Sequence, residues 1–119
     1  MQREPRAFVA DIVQACDAIA ADVDGVGVDD YLANRMIRSA VEREFTIIGE
    51  AIRILGDIDA AAFTRITAGR TIVDFRNQLA HGYMTVDDRL VWGYAVREAP
   101  KLREECARLL AELEGGPAA

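Results

Sequence analysis

Residues 30–56, DYLANRMIRSAVEREFTIIGEAIRILG, place apolar side chains at Ile37, Val41, Phe45, Ile48, Ile52 and Leu55. Gaps that alternate between four and three residues mark one face of an α-helix, and no period-two strand pattern competes with them. This is the longest uninterrupted amphipathic segment of the chain, with Asp29 or Asp30 positioned to cap it and Gly56 to stop it. Gly49 lies inside it at a cost of about 1 kcal/mol relative to Ala, which points to another helix passing close by. Arg38 and Glu42, one turn apart, read as a solvated pair on the outer side.

The same periodicity extends outward in both directions. Upstream, Pro5 followed by Phe8, Val9, Ile12, Val13, Cys16 and Ile19 predicts a first helix from roughly Arg6 to Val23, ending before Gly25 and Gly27. Downstream, residues 57–68 are weakly patterned and read as a connector with a turn or two of helix around Ala60 to Ile66. A third helix is predicted from Gly69 to His81, where Ile72, Phe75 and Leu79 share one face and Arg70, Asp74, Asn77 and His81 the other. Gly82 stops it, and Thr85 with Asp88 resembles a capping box for a fourth helix. The stripe Val91, Ala95, Glu98, Leu102, Cys106, Leu109 and Leu113 keeps helical phase across Pro100, so one kinked C-terminal helix is expected rather than two. The tail from about Gly115 should fray. Four helices with short connections imply an all-α antiparallel four-helix bundle forming a single domain over residues 1–119.

Composition limits what such a bundle does. A hydrophobic fraction of 51% over 119 residues suffices for one core without disulfides or a metal. No apolar run approaches the roughly 20 residues of a membrane span and no signal-peptide layout opens the chain, so a cytoplasmic protein without membrane contact is expected. Cys16 and Cys106 fall on helical stripes and read as small buried thiols. A formal net charge of −6 opposes a broad nucleic-acid-coating surface, because such affinity depends on neutralising phosphates with Lys and Arg. Arg65, Arg70 and Arg76 lie close enough in sequence to form a small basic pocket on that acidic body, and Arg35, Arg38 and Arg43 crowd one helix.

The chemistry concentrates at Arg76-Asn77-Gln78-Leu79-Ala80-His81-Gly82-Tyr83, which contains the only histidine of the chain. One histidine and no clustered cysteines make a zinc site improbable, and neither a phosphate-binding glycine loop nor a serine elbow is present. A histidine that titrates near neutrality beside a permanently charged arginine suits phosphodiester cleavage without metal or cofactor. The histidine would move a proton and the arginine would stabilise charge on the phosphoryl oxygens. Five residues place Arg76 and His81 about 140° apart on an ideal helix, whereas Asn77 stands one turn before His81 and is placed to orient its ring or contact a ligand. Transesterification wants both a base and an acid, so a single histidine per chain favours a site composed from two copies. Read by position alone, His81 also fits as a partner of the helix dipole, and Tyr83 and Trp92 as packing residues.

The run from Arg76 to Tyr83 resembles the R-x4-H-x-Y signature of HepT-like toxins, within the HEPN ribonuclease superfamily. Residues 40–51 and 86–92 are similar to the family's segments before and after that motif, so nearly the whole chain is covered. The resemblance implies a four-helix-bundle homodimer that cleaves RNA without metal, the toxin of a type VII toxin-antitoxin pair. By the same resemblance Arg76 and His81 match the catalytic pair, Asn77 the polar residue after the arginine, and Tyr83 the tyrosine that an MntA-like nucleotidyltransferase antitoxin modifies with AMP. Residues 57–71 depart from the family pattern in lacking its Trp or Pro. Two other roles fit a chain of this kind: a catalytically silent binding partner of a nucleotidyltransferase, and a structural dimer whose Arg-His pair holds an interface.

Overall fold

The structure is a computed structural model that describes residues 3–81 and 86–115, the His81 side chain excepted. It is all-α over these residues. The elements are α1 (Pro5–Val23), α2 (Val28–Ala33), α3 (Arg35–Ile58), α4 (Ala60–Thr64), α5 (Gly69–His81), α6 (Asp88–Gly93), a π turn (Tyr94–Glu98) and α7 (Ala99–Leu113). The long segments α1, α3, α5 and the continuous run from α6 to α7 form the antiparallel bundle, with α3 at its centre against both α1 and α5, and α1 also against α7.

The expected stripes make the core. Val41, Phe45, Ile48, Ile52 and Leu55 of α3 are buried together with Val9, Ile12, Cys16 and Ile19 of α1, Ile72 and Phe75 of α5, and Val91, Ala95, Leu102, Cys106 and Leu109 of the last run. Phe75 meets Phe45 edge-on at 5.2 Å between ring centroids and stacks on Tyr94 at 4.2 Å, so α5 is wedged between the second and fourth segments. Burying such a side chain contributes about 1.5–3 kcal/mol. Both cysteines are free buried thiols, and burial pushes each up to about 12. Among the described residues no helix is long and apolar enough to cross a membrane.

Capping differs from the sequence expectation at three places. The long amphipathic segment is two helices, because Asn34 adopts extended backbone and its Oδ1 accepts from Ile37 N at 3.1 Å, opening α3 afresh. Asp29 and Asp30 instead lie in the first turn of α2, whose cap is Gly27, and favour it through the helix dipole. Gly56 does not stop α3, which runs on to Ile58. A Cβ at Gly56 would sit 3.1 Å from the Phe63 ring, so this glycine admits α4 rather than ending α3. Asp59 ends it and caps α4 by accepting from Ala62 N at 3.0 Å.

The third difference concerns α6. Asp87, not the Thr85–Asp88 pair, is its cap, with Oδ1 accepting from Arg89 N at 3.1 Å and Leu90 N at 3.2 Å. Thr85 itself, like Gly82, lies outside the described residues, as does the tail beyond Gly115. Helical continuity across Pro100 holds, by a specific device. The Ala99 N–H reaches back five residues to Tyr94 O, so a wide π turn stands just before the proline, at the place where its ring and missing N–H disturb regular helix.

Arg38 is not spent on Glu42. Its guanidinium donates to Leu32 O at 2.6 Å and lies 3.6 Å from Asp88, tying α2, α3 and α6 together. Tyr31, fully buried and 5.2 Å from the Trp92 ring, closes the same corner. Burial first, then the nearby Glu42 and Asp88 carboxylates, push its phenol upward, and its hydroxyl has no hydrogen-bond partner among the described residues.

Candidate active site

Arg76 is positioned by a contact that begins with a missing side chain. A Cβ built at Gly49 would fall 2.2 Å from Arg76 Cβ and 2.5 Å from its Cγ. The glycine inside α3 therefore admits α5 at the arginine itself, which accounts for the close approach expected there. The Arg76 stem lies across α3 and its side chain keeps only 22% of its exposure.

The guanidinium is held at two points. Arg76 Nη2 lies 2.8 Å from Glu50 Oε2, and Nη1 donates to Asn77 Oδ1 at 3.0 Å. Arg76 Nε is buried with no partner among the described residues. Glu50 is shared: its other oxygen takes Arg53 Nη2 at 2.8 Å, and Arg53 also reaches Asp57 at 3.4 Å. The hydrogen bond from Arg53, with the charges of Arg53 and Arg76, holds the Glu50 carboxyl below its usual range against a smaller opposing effect of burial. A guanidinium has five N–H donors in a fixed plane. Glu50 and Asn77 engage one Nη each, which fixes that plane, and the Nη N–H groups that meet no partner among the described residues leave capacity for an incoming anion such as a phosphate.

Five residues on from Arg76, α5 ends at His81, as the sequence predicts. The helix carries the two Cα atoms about 7.5 Å apart along its axis. The His81 imidazole and the whole of Tyr83 lie outside the described residues. The structure thus brings together Arg76 and Asn77 of the expected set. It adds Glu50, which the sequence reading passed over, although a glycine followed by an acid on the helix facing the motif was the available signal.

No basic pocket gathers Arg65 with Arg76. Arg65 is drawn to α7, its Nη1 2.6 Å from Glu112. A concavity of about 430 Å³ between α1 and the π turn, lined by Cys16, Ala20, Val23, Ala95 and Pro100 among others, includes no α5 residue. The Arg76–Glu50 pair instead lies where α5 crosses α3 at Gly49. Among the described residues no three His, Cys, Asp or Glu side chains gather as a metal-binding group.

Comparison with known proteins assigns the class. Relatives along most of the chain are named as ribonucleases: a candidate RNase of Methanocaldococcus jannaschii is 30% identical over 104 residues, 87% of this chain and 94% of that protein. A candidate RNase of Caldanaerobacter subterraneus subsp. tengcongensis is 26% identical, covering 91% of this chain and 96% of that protein. A Thermococcus cleftensis protein named "Probable ribonuclease HepT" is 27% identical over 92% of this chain and 98% of its own length. The family model described as "Ribonuclease HepT-like" matches residues 12–109, and the chain belongs to this HepT-like, HEPN-type ribonuclease family. No solved structure matches it.

Proposed function

We propose that the chain is a cytoplasmic, metal-independent RNA endonuclease, acting as a toxin, in which Arg76 and His81 from two copies share one cleft. The observation that carries this reading is the arrangement of Arg76: laid across Gly49, oriented by Glu50 and Asn77, and followed by His81 at the helix end. In the reaction, the ribose 2′-oxygen attacks phosphorus and the 5′-oxygen leaves. A histidine takes the 2′-hydroxyl proton, a second proton donor supplies the leaving oxygen, and Arg76 stabilises charge on the non-bridging oxygens. Asn77 keeps the guanidinium plane and stands on the His81 side of the helix.

Control is proposed to fall on Tyr83. An MntA-like nucleotidyltransferase would join its phenolic oxygen to the α-phosphorus of ATP, releasing pyrophosphate and the phenol proton. The added phosphodiester would bring negative charge to a residue seven positions after Arg76 in sequence, and such charge repels the phosphate of an incoming RNA.

The test is cleavage of RNA in EDTA by the wild type, Arg76→Ala and His81→Ala. Loss of a proton-transfer group costs about 100- to 10,000-fold in rate, and both variants are expected to lose cleavage by that order. Undiminished cleavage by His81→Ala would show that the chemistry lies elsewhere.

A further inference from the structure

The concavity of about 430 Å³ between the C-terminal half of α1 and the π turn is separate from the α3–α5 crossing, since none of Glu50, Arg76 and Asn77 lines it. Its volume falls within the range of about 300–1,000 Å³ typical of small-molecule pockets. Cys16 and Ala95 are buried at its floor, and Ala20 and Pro100 stand exposed at its mouth. Alanine at positions 20 and 95 leaves open the space that longer side chains on α1 and the last run would fill.

Its two ends differ in charge. At one, Asp17 is taken by Arg103, whose Nε donates to Asp17 Oδ1 at 2.9 Å. At the other, seven residues and about 10 Å further along α1, Asp24 has no ion-pair partner among the described residues. Asp24 is the C-cap of α1, and the last turn of that helix holds no basic residue. The partial negative charge of the helix end therefore adds to that of the carboxylate without compensation.

The π turn contributes an acceptor from the facing side. The Ala99 N–H, which would meet Ala95 O in a regular α turn, is given to Tyr94 O, and Pro100, the donor one residue further on, has no N–H. Ala95 O is thus left without a helical donor, in a residue of the lining that is only 2% exposed. A buried carbonyl in that position calls for a donor from elsewhere.

We infer that this concavity binds a small primary alkylamine, with the ammonium group between Asp24 and Ala95 O and the apolar body over Ala20 and Pro100 towards the Asp17–Arg103 pair. Such an amine is charged at neutral pH, as lysine is, and has three N–H donors to distribute. A carboxylate in its place would meet Asp24 and the helix end as like charges, and an alcohol would supply one donor and leave the charge unmatched. The inference goes beyond the ribonuclease reading and does not rest on it.

Amide-resolved NMR of the full chain, titrated with n-pentylamine at pH 7, tests this, with n-pentanol and pentanoate as the neutral and anionic counterparts. Saturable shifts confined to residues 16–25 and 95–103 are expected with the amine and none with pentanoate. Asp24→Asn keeps the shape and removes the charge, so it should bind the amine about tenfold more weakly. Ala20→Leu places a good helix former at an exposed helical position and should retain the fold while filling the space, with loss of binding. Arg103→Gln releases the Asp17 carboxylate and should tighten binding. No saturable shift with the amine would overturn the inference, as would equal binding of n-pentanol, wild-type affinity in Asp24→Asn or weaker binding in Arg103→Gln.

Discussion

Gly49→Ala adds one methyl group at the crossing of α3 and α5. In an exposed helix this substitution stabilises by about 1 kcal/mol, since glycine is the poorest ordinary helix former. Here the new Cβ would stand 2.2 Å from Arg76 Cβ, more than 1 Å inside ordinary contact. The obstructing atom is attached directly to the α5 backbone, so no rotamer change of Arg76 relieves the overlap and the helix itself has to move. Overpacking of this kind costs about 1–3 kcal/mol, and an overlap this deep belongs at the upper end. The net expectation is a destabilisation of about 2 kcal/mol, or roughly 8–16 °C in Tm for a domain near 100 residues. The assay is thermal unfolding followed by circular dichroism at matched protein concentration, since association raises Tm by mass action. RNA cleavage should fall with it, because the displaced helix carries Arg76 away from Glu50. A Gly49→Ala protein that melts at or above the wild-type temperature and cleaves RNA normally would refute the crossing.

Glu50→Gln should lower stability at pH 7 by less than about 1 kcal/mol, the pair being partly exposed. The carboxyl is depressed in the folded state, so its contribution is present above the ordinary carboxylate range and is lost as pH falls through the depressed value. Denaturant melts from pH 7 down to pH 3 should therefore show wild type and variant converging towards acid; a gap that widens there contradicts the assignment. Asn34→Ala removes the cap that separates α2 from α3 and should cost about 1 kcal/mol, roughly 4–8 °C in Tm. An unchanged Tm would mean the break is maintained without it. Incubation with the cognate nucleotidyltransferase and ATP should add the mass of one or more AMP units to the wild type and none to Tyr83→Phe, which should still cleave RNA. Mass added equally to both would move the modification to another residue.

The sequence by itself determined the long helical segments and their inner faces, though not the break at Asn34 that separates α2 from α3. Spacing of four and three residues assigns Val41, Phe45, Ile48, Ile52 and Leu55 to the core, and the boundaries of α5 at Gly69 and His81 follow from glycine and pattern alone, because helix periodicity is a local property of the chain. It also pointed to Arg76 and to an intruding helix at Gly49. What only the tertiary structure decided is which element each ambiguous residue serves. Gly56 reads locally as a stop and functions as clearance for Phe63; Arg38 has a local partner in Glu42 and reaches Asp88 instead; Glu50 looks like a surface acid and proves to orient Arg76. Each choice depends on a group distant in sequence, and a contact energy between distant groups leaves no trace in the spacing of either one.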